Sequence, residues 1–315
     1  MNTQPYNHPF KDYPDLSSLL LQKGMLGEAA DIEQHLKDVG YQRLSAYWKP
    51  FMNGGNIQAS IEDVWHTYCF DRKLRLCILD AIERIEVAVR SKLVHVFCKK
   101  YDECGYAYLY PENFDLKKWS KWLAWCTKIE KETRRNNSEL VREFRSKYSN
   151  QLLPMWTACE LMSFGATVTL FEIVEKKIQQ QVSHDLQVKS PEVLLSWLKL
   201  LNDVRNACAH QNRVWNRTWQ RQPMLPRNSA SWHCAFNNTT SEWELPSLLP
   251  PASPSFSTNQ TGIVLTICRQ LLKQVASASN WKQRLFNVFD EPRFSIVPTG
   301  KMGLPPHWRE HPLWQ

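Results

Sequence analysis

Glycine is scarce in this chain of 315 residues: there are ten, against fourteen tryptophans. So few flexible positions argue for long helices rather than many tight β turns. Long apolar runs are missing as well, and none approaches the roughly 20 residues that span a bilayer. The opening MNTQPYNHPF lacks the basic and apolar regions of a signal peptide. These absences lead to the expectation of a cytoplasmic protein with no membrane partner. The nine cysteines are odd in number and scattered, with no Cys-x-x-Cys pair, so they offer neither a disulfide framework nor zinc-ligand spacing. Reduced thiols and no metal or other cofactor are expected.

What is present suits an ordinary globular protein: 43% hydrophobic and 22% charged residues. A formal net charge of +8 favours a polyanionic partner. Short helices are expected over Asp15–Leu21 and Glu28–Val39, the second ended by Gly40. From Ile61 to about Lys99, Val64, Ile78, Ile82, Ile85, Val89 and Leu93 recur at helical spacing without proline or glycine, which predicts one long amphipathic helix. On its polar side Glu86 and Arg90 form a favourable i,i+4 pair, and Arg84 also lies there. The stretch LPMWTACELMSFGATVTLFEIV reads as a central apolar helix, and Ser190-Pro191-Glu192 as a helix start. Gln222 to Asn259 turns to Pro, Ser, Asn and Thr and reads as a long surface loop. A last helical pattern occupies Gly262 to Asp290, followed by a wrapping tail. The fold class is all-α, read as one domain over 1–315. Its parts are a lead-in over 1–60, a helical core over 61–221, the loop over 222–260 and a closing helix with tail over 261–315.

Between Lys117 and Lys147 there are ten Lys or Arg against four Glu, with Trp119, Trp122 and Trp125 interleaved. Phosphates want such charge and unpaired bases stack on such rings, which makes Lys117, Lys118 and Lys121 candidate RNA contacts. A helix that packs its tryptophans inward and solvates its lysines explains the same pattern.

The densest chemistry lies in LNDVRNACAHQNRVWNR, Leu201 to Arg217. Leu201, Val204 and Cys208 form an apolar stripe, while Asp203, Asn206, His210 and Arg213 line another face of the same expected helix. Arg205 sits beside that face. No Asp or Glu occurs between Val204 and Ser241, whereas Arg213, Arg217 and Arg221 do. Histidine exchanges protons near neutral pH, and guanidinium groups stabilise the charge that builds on a phosphorane. An Arg with a His five residues on is by itself uninformative, because chance gives roughly 0.5 such pairs at one spacing in a chain of this composition. Arg90/His95 and Arg227/His233 share the pattern or nearly so. The polar face distinguishes Arg205/His210. One histidine cannot easily act as base and acid together, so a homodimer presenting two copies of Arg205 and His210 is the expected arrangement.

Five segments carry a resemblance: VGYQRLSAYWKPF (Val39–Phe51), ERIEVAVRSKL (Glu83–Leu93), LPMWTACELMSFG (Leu153–Gly165), RNACAHQNRVWN (Arg205–Asn216) and KMGLPPHWREHPLW (Lys301–Trp314). In order, from about residue 35 to the end, they resemble the bacterial Abi-like abortive infection family of the AbiD and AbiF type, a branch of the HEPN superfamily. The resemblance implies a HEPN-like helical bundle and a metal-independent ribonuclease site, usually in dimers. Arg205 and His210 match its motif's two fixed positions, and Asn206 matches the polar residue after the Arg.

The expected function is therefore phage defence by a HEPN-type endoribonuclease. Arg205, His210 and Asn206 would be catalytic, and Arg213, Arg217 and Asn212 would join the three lysines in holding RNA. A phage-derived trigger is a further expected partner. A rival is an RNA-binding module with an inactive site, holding a small structured RNA. A scaffold that senses phage through protein contacts ranks below both.

Overall fold

The computed structural model describes residues 9–101, 105–227, 229–244 and 257–315. The chain runs through α1 (Tyr13–Gln22), α2 (Ala29–Val39), α3 (Tyr41–Trp48) and a ribbon of β1 (Met52–Asn53) and β2 (Asn56–Ile57). Then come α4 (Ile61–Tyr101), α5 (Trp119–Arg135), α6 (Glu139–Lys147), α7 (Met155–Ala158), α8 (Phe164–Ile173), α9 (Lys176–Asp185) and α10 (Pro191–Ala209). A ribbon of β3 (Ala235–Asn237) and β4 (Glu242–Glu244) precedes α11 (Thr261–Val275) and α12 (Trp281–Asp290). The fold is all-α, with two short antiparallel ribbons among the described residues.

The long amphipathic helix is α4. Its start is a capping box: Ser60 Oγ accepts the Asp63 N–H at 3.0 Å, and Asp63 Oδ2 accepts the Ser60 N–H at 3.1 Å. Its apolar stripe is fully buried, from Val64 and Leu74 through Ile78, Ile82, Ile85 and Val89 to Leu93. Contacts group the residues into two compact units, one of Met1–Arg75 with Gln283–Pro298, the other of Leu76–Lys282 with Thr299–Gln315.

In the first unit α1 packs on α2 and α2 on α3. The β1–β2 ribbon closes on Gly54 and Gly55, both with positive φ, as a two-residue hairpin of type I′ requires. The aromatic Val39–Phe51 segment becomes α3 and a 3₁₀ turn, and its Tyr47 is buried beside an ion pair. The Tyr47 hydroxyl donates to Asp71 Oδ2 at 2.6 Å and accepts from Arg75 Nη1 at 3.0 Å, and Arg75 also bonds Asp71 directly. Burial, with Asp71 alongside, pushes the Tyr47 hydroxyl well above the usual phenol range.

The second unit is built on α8 and α10. Gly165 lets them approach, since a Cβ there would lie 3.3 Å from Asn202 Oδ1. Around this pair, α5 packs on α8, while α9 and α11 pack on α10. The stretch expected as one central apolar helix is broken: α7 gives way to a 3₁₀ turn at Cys159–Leu161, and Ser163 caps α8 by accepting the Ala166 N–H. The long loop is not all surface. Trp232 is buried against Trp197, whose Nε1 donates to Met224 O at 2.8 Å, and Ala235–Asn237 pairs with Glu242–Glu244. The rest of that expected loop, 245–256 and residue 228, lies outside the described residues, as does 1–8 of the lead-in. The expected last helix is two helices, parted at Ala276–Asn280, and the tail is anchored by buried Leu313 and Trp314.

His311, also in the tail, is fully buried, its Nδ1 accepting the Leu313 N–H at 3.1 Å and its ring edge-on to Trp243. Burial lowers its pKa to about 4. An unfolded histidine titrates near 6.5. The unfolded chain therefore takes up this proton first, and stability present above pH 6.5 is lost as pH falls toward 4. The expected loss from this residue by pH 5 is about 2 kcal/mol, read by urea unfolding at pH 7.5 and pH 5, and absent in His311→Phe.

Candidate functional site at the end of helix α10

Ser190 caps α10 by accepting the Val193 N–H at 3.5 Å, with Pro191 in the first turn. Buried Leu198, Leu201, Val204 and Cys208 seat the helix in the core, so that Asp203, Arg205 and Asn206 reach the surface. The helix stops at Ala209, and His210 is its C-cap, exposed, with its backbone N–H donating to Asn206 O at 3.0 Å. The next two N–H groups close a Schellman motif: Gln211 donates to Cys208 O at 2.9 Å and Asn212 to Ala207 O at 2.8 Å. Gln211 sits at φ 58, the left-handed position usually given to glycine. A non-glycine residue held there costs of order 1–3 kcal/mol, and such strain collects at functional sites.

That turn corrects the expected helical face. Asn206 and His210 remain one turn apart on α10, but Arg213 lies beyond the reversal and is not in line with them. Its guanidinium donates to Asn216 O at 3.3 Å and lies over the Trp215 ring. Arg217 stacks on Trp219 at 4.4 Å from the ring centroid and donates to Arg213 O. This segment is fastened to α11, with Thr261 Oγ1 donating to Val214 O at 2.6 Å. Asn212 is exposed at the turn.

Arg205 and His210 do not share a face of the helix. Five residues at 3.6 per turn put the two about 140° apart around the helix axis. Arg205 Nε faces Glu86 Oε2 of α4 at 4.0 Å, and its Nη1 lies 3.5 Å from Asn206 Oδ1. Glu86 is half-buried, and burial raises its carboxyl pKa while Arg205 and Arg90 pull it back down. Thus the surroundings are acid-free along the sequence only. Glu86 arrives from α4, and Asp203 pairs with Arg221 at 2.8 Å. The expected Glu86–Arg90 pair gives way to other partners, since Arg90 donates to Glu160 at 3.3 Å and to Met162 O at 3.2 Å. Arg84 pairs with Asp80. The sequence leaves open whether Arg84 or Glu86 reaches the site from α4, with a surface ion pair as the plainer reading, and it is Glu86 that meets Arg205. Its only signal was a carboxylate on the polar side of α4 at a level that could meet α10.

The basic segment divides between α5 and α6. Trp122 and Trp125 are 8% and 2% exposed, and their indole N–H groups donate to Tyr108 O and Ala166 O. Packing accounts for these two, while Trp119 is half-exposed. Lys118 bonds Asp115 and Glu172 O, and Lys121 bonds Glu172, which Lys199 also reaches. Burial works to raise the Glu172 pKa, and Lys121 and Lys199 together outweigh it and hold the carboxyl below the usual carboxylate range. Lys117 is exposed with no ion pair among the described residues.

Among the described residues no helix is long and apolar enough to cross a membrane, and no group of three or more His, Cys, Asp or Glu could hold a metal ion. Compared with known families, the chain matches the model of one described as Abi-like protein over residues 34–216, a span that takes in both Glu86 and His210. Comparisons with curated proteins and with solved structures find no match.

Proposed function

This chain belongs to the Abi-like protein family, which points to abortive infection as a defence against phage, and we propose that it acts there as a metal-independent endoribonuclease of the HEPN type. The observation that carries the reading is the end of α10: an exposed imidazole on a strained turn, one helical turn from Asn206, with a guanidinium one face away held by Glu86. In this reading a neutral His210 takes the proton of the ribose 2′-OH, and the 2′-oxygen attacks the adjacent phosphorus. A protonated His210 from a second copy gives its proton to the departing 5′-oxygen. Arg205 stabilises the phosphorane charge, and its planar fork suits two phosphate oxygens at once. Asn206 fixes the imidazole or a phosphate oxygen. The outward angle between Arg205 and His210 supports a site completed across a two-fold axis. The exposed Asn212 and Lys117 are the RNA contacts best supported by their surroundings; Arg213, Arg217, Lys118 and Lys121 already have partners within the chain.

Purified protein is expected to cleave RNA in EDTA. Tight, salt-sensitive binding without turnover would favour an RNA-holding role instead, and no affinity for RNA would remove both readings.

Glu86 acts here through Arg205, as a positioning residue. Glu86→Gln is expected to slow cleavage, and its effect should not add to that of Arg205→Lys. The cycle of four proteins should give a coupling of about 0.5–3 kcal/mol. Additive effects would show that Glu86 does not act through Arg205.

A further inference from the structure

The second Arg/His pair of the sequence, Arg90/His95, has a use of its own. Two clefts lie side by side near the C-terminal end of α4, of about 500 and 440 Å³, and they share His95 and Lys99 as a common wall. Either is large enough for a small organic ligand. The first is closed on its far side by Trp156 and Cys159, the second by Lys177 and Gln181 of α9. Trp156 is 49% exposed, although an indole of its size ordinarily buries itself. Beneath it, burial pushes the Cys159 thiol up to about 12, so the floor stays neutral.

The charges around the clefts are mostly committed. Glu160, on the rim of the first, is held by Arg90. Lys100, in the second, is held by Glu175, and Asp185 lies 3.7 Å from His184. Lys99 and Lys177 are exposed and have no ion pair among the described residues. An aromatic face on one side of a shared wall, with two exposed ammonium groups and an imidazole on that wall and beyond it, is a combination that a nucleobase joined to a phosphate satisfies. The base stacks on the ring while the phosphate meets the amines. An acidic peptide would satisfy the lysines and leave the indole without a planar partner.

We propose that the paired clefts beside His95 and Lys99 form a nucleoside-phosphate subsite, with the base on Trp156 and the phosphate against Lys99 and Lys177. The source is a nucleotide unit of single-stranded RNA or a free mononucleotide. The subsite stands apart from the end of α10 and holds its ligand whether or not that site cuts RNA.

The test uses the full-length protein and two probes that it cannot cleave: a fluorescein-labelled 2′-O-methyl hexaadenylate, followed by anisotropy, and AMP, followed by calorimetry. Trp156→Ala should weaken binding of the recognised probe about tenfold or more, and Trp156→Phe should restore most of it. The Lys99→Gln/Lys177→Gln double variant should lower the salt slope for the hexamer by about 0.7, the value for one neutralised phosphate on a single strand. Neither probe can be cleaved, so both are read whether or not the end of α10 cuts RNA, which separates this subsite from the cleavage reading. Loss confined to the hexamer identifies an RNA strand as the source, and equal loss for AMP identifies a free nucleotide. If neither probe binds, or if Trp156→Phe binds about tenfold or more weaker than wild type while the double lysine variant binds within twofold of wild type, the proposal is overturned. That second criterion holds even should Trp156→Ala fail to fold.

Discussion

RNA cleavage is expected to fall about 10²–10⁴-fold when His210 is replaced by alanine, the range that a positioned general acid or base contributes. The ring is exposed, so stability should stay within about 0.5 kcal/mol of wild type and the loss cannot be laid to unfolding. Arg205→Ala is expected to reduce the rate by a similar order, since removing one stabiliser of transition-state charge costs about 10²–10³-fold. That variant also leaves Glu86 half-buried without its partner, which makes Arg205→Lys the cleaner comparison. Lysine keeps the charge and loses the planar fork, so a partial loss is expected. A wild-type rate in His210→Ala would remove the assignment of the site to the end of α10.

Asp71→Ala is expected to destabilise its unit by about 3–5 kcal/mol, because it removes the carboxylate that the buried Arg75 guanidinium, 5% exposed, bonds directly. The loss would extend to Tyr47, whose hydroxyl donates to the same carboxylate oxygen. Against an ordinary domain stability of about 5–15 kcal/mol this is a large fraction. Replacing the whole cluster, as Asp71→Leu and Arg75→Met with Tyr47→Phe, is expected to restore most of the stability, since buried polar groups exchanged together for apolar groups of similar size are often neutral or better. Urea unfolding of the two variants decides the matter. A single-variant loss below about 1 kcal/mol would mean that water reaches Arg75 once Asp71 is gone.

The fold was legible where helical periodicity ran uninterrupted. The stripe of α4 and the Ser190-Pro191 start of α10 are local signals, and both elements formed at or near the expected residues. The end of α10 was not legible, because the left-handed turn that stops it is made by Gln211 where a glycine would have announced it. Helical spacing continued past that turn puts Arg213 on a face it does not share. The break between α7 and α8 was hidden for a different reason, since an apolar stretch looks the same whether it is one helix or two. Glu86 was out of reach because its meeting with Arg205 joins residues 119 apart in the chain, and no local pattern encodes such a contact. Lys118 and Lys121 looked free in a basic segment for the same reason. The Glu172 carboxylate that Lys121 bonds arrives from α8, 51 residues away, and so does the Glu172 carbonyl that Lys118 bonds besides its nearer partner Asp115.

The chemistry of the cut ends tests the central claim most directly. The measurement is end-group analysis of a short RNA incubated with the protein in EDTA, beside the same RNA carrying a single 2′-deoxy residue at the cleaved position. Attack by the 2′-oxygen under His210 predicts 2′,3′-cyclic phosphate and 5′-hydroxyl ends on the first RNA, and no cut at that position in the second. Ends bearing 3′-hydroxyl and 5′-phosphate, or cleavage unaffected by the missing 2′-OH, would contradict it.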